Sequence, residues 1–350
     1  MPLSFSSITE LVDHGHDTLI DVRSPSEFAQ DRLPGAINLP VLSDAERARV
    51  GTIYTQVSPF AARKIGAALV ARSTAAHVET ALAGFDGSWR PLVYCWRGGQ
   101  RSSAFALILR EIGWRAGTIA GGYRTWRRMV KVSLYDTPLL PRLVLLDGNT
   151  GTAKTAILDQ VKERGVQVLD LEGLAVHRGS MLGAMSATQP AQTGFESALV
   201  TSIAGLDPAR PVLVEAESSR IGRIVLPPAI WAAMCAAPRI EVSAPVSARA
   251  TYLAETYSDV TSDPTRLSAL LDVLRAHRGN KVVDRWQHLL RECAWQDLAA
   301  ALVVEHYDPS YAKSRSQYAP DIRARIALDD MSESGLGAAA DRIAQLLSDM

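Results

Sequence analysis

Short, continuous apolar runs alternate along this chain with longer stretches in which apolar residues recur at helical spacing. A short helix, Ile8 to His14, precedes a strand around Thr18–Val22. The Ala-rich stretch from Pro59 to Phe85 has a helical pattern. Pro91-Leu92-Val93-Tyr94 reads as a fully buried strand, and the loop CWRGGQRS leads from it into an apolar helix, Ser103 to Ile112. A further β-like piece, Ala116–Ile119, is closed by Gly121-Gly122. Strands that alternate with helices in this way predict a parallel α/β sheet.

A second α/β pattern starts at Arg142, where RLVLLDGNTGTAKTAIL gives an apolar strand, a Gly-containing loop and a helix. VQVLDLEG, PVLVEAES and PRIEVSAP supply further strands, and from about Pro264 the pattern is mostly helical. The segment SLYDTPLLP has two prolines and little periodicity, so the boundary belongs between Val130 and Pro141. The expected architecture is α/β throughout. A parallel-sheet domain over residues 1–132 precedes an α/β domain over 141–350 whose C-terminal part is helical.

Composition adds bounds. A chain of 350 residues favours two domains over one. With 47% hydrophobic and 21% charged residues, it can bury substantial cores without staples. Only 3 cysteines occur, Cys95, Cys235 and Cys293, far apart and without metal-ligand spacing. A disulfide framework is therefore not expected, and a reducing cytoplasm fits. No apolar run is long enough for a bilayer, and no signal peptide is visible from Met1 to Asp13. A formal net charge of +0 argues against a basic field over the whole molecule, although a local basic face is compatible with it.

Cys95 lies directly after an apolar strand and before a helix. A loop in that position turns successive backbone N–H groups toward one spot, beside the positive end of the helix dipole. Gly98 and Gly99 let it curl, Arg101 completes a C-x5-R spacing, and Arg97 adds a second guanidinium. Such surroundings favour a thiolate, the nucleophilic form. The bland alternative is a small buried hydrophobe at a strand end. The coincidence of strand, glycines, arginines and helix favours a catalytic Cys95 with Arg97 and Arg101 beside it.

Around this loop the sequence resembles the rhodanese family. LIDVRSPSEFAQDRLPGAINLP (Leu19 to Pro40) is similar to the family's N-terminal signature, and AGGYRTWRR (Ala120 to Arg128) to its later Gly-Gly turn. The resemblance implies that Asp21 and Arg23 buttress the active loop. It covers about the first third of the chain and departs at Arg32, where many members have His. The loop is longer than in ordinary sulfurtransferases, and related phosphatases use C-x5-R to surround a phosphate. Selenophosphate, at once a phosphate and a selenium donor, suits such a loop.

GNTGTAKT (Gly148 to Thr155) fits the phosphate-loop pattern G-x4-G-K-[ST] except that Ala153 replaces the second glycine. Gly148, Thr150, Gly151, Lys154 and Thr155 are the expected phosphate-binding residues, with the Thr155 hydroxyl a candidate Mg²⁺ ligand. A plain βα turn with a surface lysine is the alternative. Glu215, ending PVLVE, is a candidate second acid or a solvated strand-end carboxylate.

The two motifs in this order, with SPFAARKIGAALVA, YCWRGGQRS, GGYRTWR, DLEGLAVHRGSMLG, QPAQTGFESAL and RIGRIVLP, resemble the bacterial tRNA 2-selenouridine synthase family over most of the chain. The similarity is patchiest after about Ser258. The resemblance implies a P-loop NTPase-like second domain and a transferase acting on the wobble 2-thiouridine of tRNA. It implies S-geranylation from geranyl diphosphate, then replacement of the S-geranyl group by selenium from selenophosphate. No prosthetic group is implied, and no resident metal or membrane partner. Cys95 would attack or carry the selenium, and a P-loop would hold a diphosphate without ATP.

The resemblance makes Asp170, Glu172, His177, Arg178 and Glu215 candidate substrate contacts, while Gln189, Gln192, Phe195 and Glu196 belong to another family-like string in which Phe195 has core spacing to Leu199. Arg220, Arg223, Arg275, Arg278, Lys281 and Arg285 are candidate tRNA-phosphate contacts, although each taken singly reads more readily as part of a solvated face. HYDPSY (His306 to Tyr311) has aromatics to stack bases or to pack a turn. Cys235 and Cys293 read as structural. Three other readings are a Cys-dependent phosphatase, a plain sulfurtransferase with a nucleotide-binding regulatory domain, and a non-catalytic tRNA-binding protein.

Overall fold

The computed structural model describes residues 2–139, 141–315 and 321–350. The chain divides into two compact units, Met1–Thr137 with Pro190–Gly205, and Pro138–Gln189 with Leu206–Met350.

The first unit is built on five parallel strands: β1 (Pro2–Leu3), β2 (Thr18–Asp21), β3 (Ile37–Asn38), β4 (Pro91–Tyr94) and β5 (Gly117–Ile119). Their spatial order is β1-β5-β4-β2-β3. Central β4 is buried at all four positions, which is why it reads as an unbroken apolar run. Its C-terminal end delivers Cys95, where parallel sheets place their sites. The expected single boundary does not describe the helix Gln192–Ala204, which belongs to this unit. It packs against the helices Ile8–Val12 and Tyr123–Lys131, buries Phe195 and Leu199, and takes the Trp126 indole N–H on Ser197 Oγ at 2.8 Å.

The second unit has parallel strands β6 (Leu143–Gly148), β7 (Gln167–Leu169), β8 (Val212–Glu215), β11 (Arg239–Ser243) and β12 (Ile322–Ala327), ordered β12-β11-β6-β8-β7. A small hairpin pairs β9 (Arg220–Ile221) with β10 (Ile224–Val225). The C-terminal part is mostly helical, as expected, with one strand that the pattern does not show, β12. Its sequence IRARIA puts arginines on one face, and the strand lies parallel beside β11 at the sheet edge. The helices between Val246 and Arg315 hold their own core, with Leu271, Val283 and Trp286 fully buried. The last helix, Glu333–Ser348, buries Ala340 and Ile343 and packs on Lys154–Glu163. Among the described residues no helix is long and apolar enough to cross a membrane.

Candidate active sites in the two units

Two glycine pairs close the Cys95 loop. Gly98 (φ +63°) and Gly122 (φ +57°) lie so close that a Cβ on Gly122 would stand 2.2 Å from the Cys95 carbonyl oxygen and 2.5 Å from the Gly98 nitrogen. The turn is stitched to the loop by Tyr123 N–H on Cys95 O (2.9 Å) and Arg124 N–H on Trp96 O (3.1 Å). Below it, the Arg23 guanidinium lies 4.0 Å from the Tyr123 ring centre and is paired to Asp21 at 2.5 Å, both side chains fully buried. Arg23 also donates to Asp31 O (2.6 Å), and Tyr123 donates to Asp31 Oδ2 (2.7 Å). Burial raises the Asp31 pKa above the ordinary carboxylate value.

Cys95 itself is 3% exposed and abuts the core with Val22, Val93 and Phe105. Ser102 Oγ stands 3.2 Å from its sulfur, and the thiol faces Gly99 O at 3.9 Å. The hydrogen bonds at the sulfur are made with Ser102 and Gly99 and not with Arg97 or Arg101. Arg101 donates to Glu27 Oε2 at 3.2 Å, because that half-buried carboxylate needs a counter-charge. Burial pushes the Glu27 pKa up, but Arg101 and the Ser24 amide outweigh this and hold it below the ordinary value. Arg97 is exposed and lines a groove of about 670 Å³.

In the second unit the phosphate loop joins β6 to the helix Lys154–Glu163. Gly148 and Gly151 are needed there. A Cβ on Gly148 would meet Val242 O at 2.8 Å, and Gly151 has φ +86°. Ala153 adopts a left-handed conformation, φ 55° and ψ 30°, where the usual pattern has glycine. Lys154 folds back to donate to Gly148 O (3.1 Å) and its Nζ lies 6.0 Å from the Tyr311 ring centre. Burial lowers its pKa, but the facing Tyr311, Glu215, Glu217 and Glu172 more than offset that, and the net shift is upward.

Thr155 Oγ1 reaches Glu215 Oε1 at 3.4 Å and Glu172 Oε2 at 3.5 Å. Burial pushes Glu172 and Glu215 up to about 8 and Glu217 to about 7. Glu172 and Glu217 share a hydrogen bond against Gly179. Glu215 Oε2 is buried with no partner, an acceptor left open beside the Thr155 hydroxyl. A hydroxyl beside carboxylate oxygens suits a hard cation such as Mg²⁺. Among the described residues no three His, Cys, Asp or Glu side chains form a metal-holding group.

The other candidates separate. Asp170 caps the helix Leu171–Ala175 through Gly173 N–H (2.7 Å). His177 is 8% exposed, with Nδ1 unpartnered and its pKa lowered by burial. Arg178 pairs with Asp259 at 3.1 Å and stacks on Tyr257. Gln189 is a strut, donating to Ala175 O and Ile221 O, and Arg223 donates to its backbone. Gln192 and Arg127 both bind Glu196. Arg275 is paired with Asp272 and Asp284, Arg278 with His306 and Ser310, and Arg285 with Glu305, all within the helical tail. Arg220 and Lys281 are exposed. Cys235 and Cys293 are exposed rather than packed, Cys293 at φ 53°.

HYDPSY is helical, spanning the junction of the helices Val303–Tyr307 and Asp308–Arg315, and it braces the phosphate loop. Asp308 receives both guanidinium nitrogens of Arg249 and the Asn149 amide (2.9 Å), while Arg249 Nε donates to Thr150 O at 2.8 Å. Two cavities flank this loop. One of about 60 Å³ is walled almost wholly by apolar atoms, with Leu253, Tyr257, Trp295 and Tyr307 next to Thr150. The other, of about 420 Å³, is lined by Glu217, Trp231, Arg239 and Tyr311 among others.

Residues 4–129 match the rhodanese-like domain, and residues 141–269 match the tRNA 2-selenouridine synthase AAA domain. A tRNA 2-selenouridine synthase of Shewanella halifaxensis is 31% identical over 322 residues, covering 84% of this chain and 87% of that protein. The chain belongs to the tRNA 2-selenouridine synthase family. A Chromohalobacter salexigens member is 34% identical, with 84% and 86% covered. A Nitrosomonas europaea member is 37% identical over 243 residues, and there the chain spans 63% of the relative's length. Within the family-matched region fall Lys154, Glu172 and Glu215, and also Glu217 and Arg249, which no motif flagged. Asp308 and Tyr311 lie beyond it.

Proposed function

We propose that this chain is a transferase that converts the wobble 2-thiouridine of tRNA into 2-selenouridine in the cytoplasm. In the first step the uridine sulfur attacks C1 of geranyl diphosphate. The C–S bond forms, the C–O bond breaks and pyrophosphate leaves. In the second, the Cys95 thiolate adds at C2 and expels geranylthiolate, which takes a proton from water. Selenium of selenophosphate then displaces Cys95, and water removes the phosphoryl group. No oxidant or reductant is consumed.

The residues suit those tasks. Lys154 and the loop amides of Gly148 to Thr155 would carry the charge of departing pyrophosphate. Thr155 and Glu215 would hold Mg²⁺, which would neutralise diphosphate charge. Arg97 and Arg101 would receive the phosphate end of selenophosphate, Arg101 by exchanging Glu27 for it. Asp170 remains a helix cap in this reading. Glu172, next to Thr155, would face the diphosphate, while His177 and Arg178 are left without a role in the chemistry.

The observation that carries the reading is an apolar cavity opening at Thr150, a residue of the phosphate cradle itself. Its apolar walls match a hydrocarbon tail attached to a diphosphate, and the cavity of about 60 Å³ must widen to seat ten carbons, whereas a ribose and base would find almost no polar partner there. The test is mass spectrometry of tRNA nucleosides after incubation with geranyl diphosphate, then selenophosphate. S-geranyl-2-thiouridine should form first and 2-selenouridine second. Lys154→Ala should slow the first step about 100-fold, and Cys95→Ser should stop the second. ATP hydrolysis without geranylation, or full selenation by the Cys95→Ser protein, would overturn the proposal.

A further inference from the structure

The groove beside the Cys95 loop carries more positive charge than a thiol site needs. Its walls include Arg97, Arg124, Arg127, Arg128 and Lys131 against a single acid, Glu196. That acid is spent: Arg127 pairs with it at 2.5 Å, and Tyr135 O–H donates to it at 2.7 Å. Arg97, Arg124, Arg128 and Lys131 are all exposed and no acidic partner faces them among the described residues. We propose that this groove is the seat of a single-stranded RNA segment, whose phosphates lie along Arg124, Arg128 and Lys131 and lead to Arg97 at the Cys95 loop. The inference rests on the proposed function and gives its RNA substrate a docking site.

Three features favour RNA over another anion. The cations 124, 128 and 131 occupy one helix face, and the seven steps from 124 to 131 cover roughly 10 Å, enough for more than one phosphate of a strand. A compact anion would use one such group, so a ladder fits a polymer. Aromatic faces accompany the ladder. Tyr135 is 41% exposed, and its hydroxyl is tied to Glu196, which fixes the ring. Trp96, 39% exposed, follows Cys95 directly and packs at 5.0 Å on Tyr123. Exposed rings between cations stack unpaired bases. The ladder is also anchored to the chemistry, since its helix begins at the turn hydrogen-bonded to Cys95 O and Trp96 O. A phosphate strand bound there is guided to the nucleophile.

The experiment measures tRNA affinity of the full chain against salt concentration. The triple variant Arg124→Ala, Arg128→Ala, Lys131→Ala removes three phosphate contacts. The salt slope should fall by about 2, which corresponds to roughly 50-fold weaker binding near 0.15 M salt. Replacing both arginines by lysine should keep most of the affinity, since charge is what is read. Arg49→Ala with Arg72→Ala, two exposed arginines on other helices of the same unit, should leave affinity and slope unchanged. Wild-type affinity and slope in a folded triple variant would overturn the groove and leave the proposed function standing. Loss of binding to vesicles of acidic lipid, with tRNA binding intact, would overturn it in favour of a membrane surface. Failure of the wild-type chain to bind tRNA would sink the functional reading and the groove with it.

Discussion

Arg249 and Asp308, 59 residues apart, face each other in a two-pronged ion pair, with nitrogen–oxygen distances of 3.0 and 2.7 Å. Because Arg249 also donates to Thr150 O, this pair ties the helical tail to the phosphate loop. Arg249 is 4% exposed at its side chain, while Asp308 is 29% exposed. Removing the acid leaves a buried guanidinium half-paired. Asp308→Ala should cost about 2–3 kcal/mol in urea unfolding, less than a fully buried pair because Asp308 is partly solvated. It should also raise KM for the diphosphate more than it lowers kcat, because the cradle loosens while Lys154 remains. A variant with unchanged KM would mean that the loop holds its shape without this brace.

The Gly98–Gly122 contact gives a second, sharper test. Gly122→Ala must push a methyl into the Cys95 carbonyl at 2.2 Å, at a left-handed φ of +57°. The nucleophile loop has to move, and a displacement near 1 Å costs about 100-fold in rate. Gly99, in the same loop, has open space around its Cα and a negative φ of −105°. Gly99→Ala should therefore stay within about 0.5 kcal/mol of wild type in stability. Equal selenation rates for the two variants would show that the stitched turn does not position Cys95.

The contrast between these residues explains what the sequence made legible. β4, Cys95 and the loop Gly148–Thr155 could be read because strand, loop and helix are contiguous and each leaves a local pattern. Arg249, Asp308 and Glu217 could not, since nothing local distinguishes a brace from a surface charge. Their partners are set by packing over tens to more than a hundred residues. β12 was hidden for another reason: an edge strand with one charged face shows a short alternation, and two arginines in it read as helix surface. The helix Gln192–Ala204 belongs with the first unit, and its apolar face carries no mark of which core it joins.

Ala153 marks a point where local rules and the fold disagree. An alanine held at φ 55° is strained by about 1–2 kcal/mol. Ala153→Gly relieves that strain and adds some unfolded-state entropy, so a net stabilisation of about 0.5–1 kcal/mol is expected. Thermal unfolding of the ligand-free protein measures it. A destabilised glycine variant would mean that the buried methyl, 4% exposed, contributes more by packing than the backbone loses.

The acids around Lys154 predict a pH dependence of stability with a definite sign. Burial raises Glu215 and Glu172 from the ordinary 4.5 to about 8, and Glu217 to about 7. Between these values and 4.5 the folded protein holds protons that the unfolded chain has released. Stability must therefore fall as pH rises from about 4.5 to 8, and level off above. For Glu215 alone the loss between pH 6 and 9 is on the order of 2–3 kcal/mol. Urea unfolding of wild type and Glu215→Gln at several pH values isolates this part, since the other titrating groups are common to both. The glutamine still offers Thr155 an acceptor but cannot ionise, so its stability should decline less steeply. Parallel curves for the two proteins would show that Glu215 titrates normally and that the pocket beside the phosphate loop is wetter than its burial implies.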